Sequence, residues 1–251
     1  MITFDLTFFA LAIPAIIFAA ISKSGFGSGA AFAATPILAL VLDPAVALGV
    51  VLPLLMLVDI SSLKPYWAKW HAPSAAALCI GAIPGVALAI WLYQIADPNI
   101  LRLLIGAISI GFVAFQLARA RGFIRIAPQP FRPALGAAFG VIAGFTSFVS
   151  HAGGPPAAIF LLSQNLSKTT FQATTVITFW IINILKAVPY AFLGVFTAET
   201  LLAGVYLAPF ALLGTWLGVK AHRLIPERLF FAVTYVLLTC TGSKLIYDAL
   251  A

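Results

Sequence analysis

Two short stretches of the chain combine small residues with cations in a pattern suited to holding an anion. The first, SKSGFGSG, contains Lys23, Ser24, Gly25, Gly27, Ser28 and Gly29. The second, SFVSHAGGPP, contains Ser150, His151, Gly153 and Gly154, followed by Pro155 and Pro156. Glycine lets the backbone adopt positive φ and approach a ligand closely. Proline is favoured in the first turn of a helix, where its missing N–H costs nothing. Each stretch therefore reads as a chain break followed by a helix start, with unpaired N–H groups and a partial positive charge that attract anions. Lys23 adds a cation, and His151 adds a group that titrates near neutral pH.

Three further polar residues sit inside apolar runs. Asp59 lies in LPLLMLVDISSL, and Asn183 and Lys186 lie in WIINILKAVPY. Burying an ionisable group in a membrane costs at least about 2.5–3.5 kcal/mol, so such a residue marks function by default. Asn183 and Lys186 are one turn apart and share a helix face. His151 and Asp59 are candidates for proton coupling or gating, against a structural ion pair for Asp59. Pro53 and Pro189 are candidate hinges, against simple helix termination. Other chemistries find little support. Ser150 beside His151 supplies nucleophile and base types, but sequence neighbours rarely face each other as a triad does. There is no HExxH and no paired carboxylate, and Cys79 and Cys240 stand alone, so no enzyme, metal site, cofactor or disulfide is expected. Lys244 in the last apolar run could suggest a retinal pigment, for which the glycine-rich breaks have no use.

These residues must be positioned by a membrane fold. Of 251 residues, 63% are hydrophobic and only 8% charged, against roughly 25% charged in a soluble domain. A globule of this size could not hide so much apolar surface from water. A nucleic-acid binder is excluded despite the formal charge of +7. Apolar segments run at 4–21, 30–42, 45–63, 73–95 and 98–119, then at 133–149, 154–166, 169–187, 199–219 and 226–247. The fold class is all-α and polytopic. Segments 30–42 and 154–166 are too short for a hydrocarbon core of about 30 Å. Short, glycine-interrupted segments at matching places in two halves point to the central site of a transporter. Gly136, Gly140 and Gly144, Gly81 with Gly85, and Gly214 with Gly218 read instead as helix-packing ladders.

The halves align at an offset of 124, which places Gly29 on Gly153, Asp43 on Ser167, Asp59 on Asn183 and Ser62 on Lys186. This predicts a first repeat over 1–120, a basic linker over 121–132 and a second repeat over 133–251. If each short segment doubles back, Lys64, Lys69, the arginines from Arg119 to Arg132, Lys168, Lys220, Arg223 and Arg228 share one side. The positive-inside rule makes that side cytoplasmic. The repeats are then inverted, and both termini lie outside the cell (inner) membrane.

The paired breaks resemble the sulfite exporter TauE/SafE family of membrane transporters. The resemblance is carried by SKSGFGSGAAFAATPIL with DPAVALGVVLPLLMLVDI, and by GFTSFVSHAGGPPAAIFLL with a helix ending NILKAVPYAFLG. The K-x-G-x-G and SHAGGPP forms resemble one subgroup, and Ser28 departs from a glycine common at that place. The resemblance implies a secondary transporter for sulfite, an organosulfonate or a related sulfur-containing anion. A passive anion channel or a carboxylate carrier remains the alternative. The expected partners are a small anion and the lipid bilayer, and a homodimer is left open.

Overall fold

The computed structural model describes residues 2–25, 30–221 and 227–251. Among these, the regular structure is helical: α1 (Leu6–Gly25), a 3-10 turn (Ala31–Ala33) running into α2 (Ala34–Leu38), α3 (Pro44–Tyr66), α4 (Ala72–Ile95) and α5 (Pro98–Ala120). There follow α6 (Pro133–Ser150), α7 (Gly154–Ser163), α8 (Lys168–Phe192), α9 (Ala198–Ala221) and α10 (Glu227–Leu250). Eight helices are long and apolar enough to cross a membrane. The other two, α2 with 5 residues and α7 with 10, are not. Each packs on the helix before it as the short arm of a hairpin.

Helix starts follow from local chemistry. Asp5, Asp43 and Asp97 accept from the backbone N–H groups of Phe8, Ala45 and Ile100 at 2.8, 2.9 and 2.8 Å, capping α1, α3 and α5. Ser167, the repeat counterpart of Asp43, caps α8 through Thr170 N at 3.1 Å. A side-chain acceptor there satisfies one of the amide groups that every helix start leaves unpaired.

Helix directions follow from which residues meet. The links between α3 and α4 and between α8 and α9 are tight, so each pair is antiparallel. Asp59 of α3 meets Asn183 of α8, while Gly49 near the start of α3 meets Val195 just past the end of α8, so α3 and α8 are antiparallel. Helix α9 therefore runs with α3. Gly214 of α9 lies on Ile17 of α1, and Gly218 lies on Ile21, so α1 runs parallel to α9. Gly81 of α4 lies on Ala137 of α6, and Gly85 lies on Val141, so α6 runs parallel to α4. Hence α1 and α6, the first helices of the two halves, run in opposite directions, as inverted repeats require. The principal helix pairs are kept when the halves are exchanged. The pair α1–α9 maps onto α6–α4 and α3–α9 onto α8–α4, while α3–α8 and α5–α10 map onto themselves.

Charge is segregated by this arrangement. Asp5, Asp43, Asp97, Glu199 and Asp248 stand at the ends of helices on one face. Lys64, Lys69, Arg119, Arg121, Arg125, Arg132, Lys168 and Lys220 stand at the other. On the acidic face, Arg102 bonds Asn99 and Lys244 pairs with Asp248.

The glycine ladders set how closely the helices approach, because in lipid association depends on packing rather than on expelling water. A Cβ on Gly81 would strike the Ala137 carbonyl, whereas one on Gly111 would meet open space. Gly81→Val is therefore expected to lower the melting temperature of the detergent-solubilised protein markedly. Gly111→Ala is expected to change stability by less than about 0.5 kcal/mol. Equal melting temperatures for the two variants would contradict backbone contact between α4 and α6.

Candidate functional site

Helix α8 passes through the middle of the molecule, and five of its buried residues form one stripe. Gln172, Phe179, Asn183, Lys186 and Tyr190 recur at spacings of seven, four, three and four, which places them on a single face. All five are buried. That face meets α3, the last turn of α1 and the end of α6.

Lys23, in the last turn of α1, places its ammonium 3.0 Å from Asp59 Oδ1. Asn183 donates to Asp59 Oδ2 at 2.7 Å. These last two residues are 124 apart, the offset at which the two halves of the sequence align. Lys23 also faces the Phe179 ring at 5.4 Å, and its carbonyl accepts from Gln172 Nε2 at 2.9 Å. One turn along α8, the Lys186 ammonium donates to the Ser147 carbonyl at 3.0 Å and to His151 Nδ1 at 2.9 Å.

The His151 ring bridges the halves. Its Nε2 lies 3.2 Å from the Leu48 carbonyl on α3. A carbonyl can only accept, so Nε2 carries the proton, and Nδ1 is left as the acceptor for Lys186. In this arrangement the imidazole is neutral. His151 reaches this position because it closes α6 in the left-handed conformation, with φ 57°. The His151 amide reaches back to the Ser147 carbonyl at 3.0 Å, the single bond of an αL closure. Glycine is the usual residue there, and a side chain costs roughly 1–2 kcal/mol. Backbone strain of this kind collects at functional sites.

Asp59 is the one buried carboxylate among the described residues. It pairs with Lys23, and with both lysines protonated the cluster has one positive charge in excess. Lys23 and His151 keep 4% and 7% exposure, while Asp59 and Lys186 have none.

A cavity of about 570 Å³ opens on the basic face, and its wall includes Gln172, which bonds the Lys23 carbonyl. Arg119 and Lys168 stand at its mouth, and Gly25, Gly154, Pro155, Gln172 and Thr175 line it further in. Toward the acidic face the cluster is covered by a packed plug of Leu48, Leu52, Phe148, Val149 and Tyr190, with Tyr93 and Phe196 against it. Phe148 and Tyr190 meet edge to face at 4.8 Å, and Tyr190 Oη donates to the Phe148 carbonyl.

Of the residues singled out in the sequence, the structure brings together Lys23, Asp59, His151, Asn183 and Lys186. Gly27, Ser28 and Gly29 lie outside the described residues. Lys23, Ser24 and Gly25 belong to the last turn of α1 rather than to a break. Ser24 bonds the carbonyls of Ala20 and Thr215, and Ser150 bonds that of Thr146, so both hydroxyls are engaged in helix packing. Gly153 is required by space: a Cβ would stand 2.6 Å from the Ala143 carbonyl and 2.8 Å from the Phe179 ring. Gly154 lines the cavity. Pro155 and Pro156 carry no N–H, so the α7 start offers few backbone donors, and side-chain cations dominate the field. Pro53 and Pro189 lie inside α3 and α8 rather than ending them. Asp59 sits about two turns from the end of α3. Gln172 and Tyr190 were not singled out, although their register with Asn183 and Lys186 was a readable signal.

A family model described as sulfite exporter TauE/SafE matches residues 12–245. The match spans most of the chain, which belongs to that family of membrane anion transporters. No curated protein and no solved structure matches the sequence.

His151→Gly separates the two roles of this residue, because glycine accepts the backbone conformation and removes only the ring. The variant is expected to keep the α6 closure and to fold, the relief of backbone strain offsetting part of the lost bonds to Leu48 and Lys186, and to lose anion flux in proteoliposomes. Unchanged flux would reduce His151 to a helix closure.

Proposed function

We propose that this TauE/SafE protein is a secondary transporter that carries a small anion, such as sulfite or an organosulfonate, by alternating access. The observation that carries this reading is the Lys186 amine, fully buried six residues from the end of a spanning helix and bonded to the Ser147 carbonyl and His151. A cation so placed attracts any anion that reaches the cluster, because a charge in a medium of low dielectric is screened little. Lys23, Asn183 and His151 complete the proposed binding set, with the amides of Gly153 and Gly154 beside it. The anion enters from the cavity, drawn by Arg119 and Lys168 at the mouth.

The open cavity on one face and the packed plug on the other support a carrier over a channel, since a channel needs one continuous path. Transport then requires the plug around Phe148 and Tyr190 to part while the cavity closes. Inverted repeats supply a route, because each half can adopt the conformation of the other. Pro53 and Pro189 lie on the two helices that cross at the cluster and are the proposed hinges. By the positive-inside rule the basic face is cytoplasmic, the 121–132 segment is a cytoplasmic linker between repeats, and both termini are outside. The state described is then the one that loads from the cytoplasm, as export requires.

Proteoliposome flux tests the reading. Lys186→Met keeps the side-chain length and removes the charge, and is expected to lower saturable sulfite flux by about tenfold or more, equivalent to about 1.4 kcal/mol or more. A wild-type rate in that variant would remove Lys186 from the site. Equilibration without accumulation under every imposed ion gradient would favour a channel.

A further inference from the structure

The inference drawn here rests on the anion site proposed above and deepens it. We infer that the site selects its ligand by charge, taking monovalent anions over divalent ones, and that Asp59 sets this limit.

The groups within the cluster are few. From α1 comes Lys23, from α3 Asp59, from the end of α6 His151, and from α8 Asn183 and Lys186. The imidazole is neutral in its hydrogen bonds to the Leu48 carbonyl and Lys186. With Lys23 and Lys186 protonated and Asp59 ionised, one positive charge remains in excess. Arg119 and Lys168 lie at the cavity mouth, in reach of water, and do not enter this count. A monovalent anion brings the cluster to neutrality. A divalent anion leaves one negative charge uncompensated in a dry interior, where an unpaired ion is strongly disfavoured.

The alignment of the two halves supplies an internal control. The position of Asp59 in the first half is filled by Asn183 in the second, a side chain of the same shape without the charge. With aspartate at both places, the empty site would be neutral and would hold an anion poorly. With asparagine at both, it would carry two positive charges and suit a dianion. One of each fixes the excess at one. Asp59 is already paired with the Lys23 ammonium and accepts from Asn183, so its carboxylate is oriented by both halves.

The probes are methanesulfonate and sulfate, which hold fixed charges of one and two across the neutral range. Binding to the purified full-length protein is measured by calorimetric titration at constant ionic strength. Wild-type protein is expected to bind methanesulfonate about tenfold or more tightly than sulfate. Asp59→Asn is expected to raise sulfate affinity at least as strongly and to abolish or reverse the order, while Asp59→Glu keeps it. Sulfate binding to the wild type as tightly as methanesulfonate, or an unchanged ratio in a folded Asp59→Asn protein, overturns the inference and leaves the transporter reading standing. The wild-type comparison decides even where the variant fails to fold. A protein that binds neither probe, nor sulfite, loses the anion site and the inference together.

Discussion

The structure is organised around the burial of two lysines and one aspartate where three helices of the first half and second half cross. At an effective dielectric of about 20, two unit charges 3 Å apart attract by about 5 kcal/mol. Removing each ion from water costs several kcal/mol, so the Lys23–Asp59 pair comes close to breaking even. Lys186 has no such offset. Its partners are the Ser147 carbonyl and His151, both neutral in the arrangement seen. Stability alone gives no reason to keep an ammonium there. Much of the local structure is explained by the need to hold it: the left-handed closure of α6, the glycine that lets Phe179 and Ser147 approach, and the imidazole tethered across to α3.

Packing of the two halves of the chain brings these groups together. A single half carries a cation on α1 and a carboxylate on α3, and the other half carries an amide and a cation on α8. Only when the halves pack head to tail does the Asp59–Asn183 contact form. The supporting shell is shared in the same way, since α1 packs on α9 of the other half and α6 on α4. Small residues line these contacts, which makes the scaffold rigid near the crossing. The short arms α2 and α7, by contrast, leave the middle of the molecule reachable from a face. Even the charges at the two surfaces fit this plan. The aspartates of the acidic face cap helices that start there, whereas helices starting at the basic face are capped by residues such as Ser167 or, as at α6, by none.

Much of this was legible in the sequence, for physical reasons. The eight spans and two short arms follow from apolar run length, because the bilayer imposes a minimum on any crossing helix. The repeat follows from punctuation, since Asp43 and Ser167 both start a helix although they share no identity. Asp59, Asn183 and Lys186 stand out because polar groups are rare inside such runs. Less legible was the division of labour around the breaks. Glycine-rich stretches suggested backbone amides as the anion ligands. Yet the α1 helix continues through Lys23 and Ser24, and the paired prolines of α7 remove donors at its start. A count of glycines cannot tell a ligand cradle from a close helix contact; only the neighbouring backbone decides, as Ala143 does at Gly153. Gln172 and Tyr190 escaped notice because amides and phenols at helix faces are common, and their alignment gains meaning only once α8 is known to be central.

The most direct test locates the anion itself. Bromide is monovalent and scatters anomalously, so crystals of the full chain grown in bromide report its position without reference to activity. The account expects one strong peak within contact distance of the Lys186 ammonium, between it and the Lys23–Asp59 pair. Peaks confined to Arg119, Lys168 and the other surface cations, with none at Lys186, would contradict it.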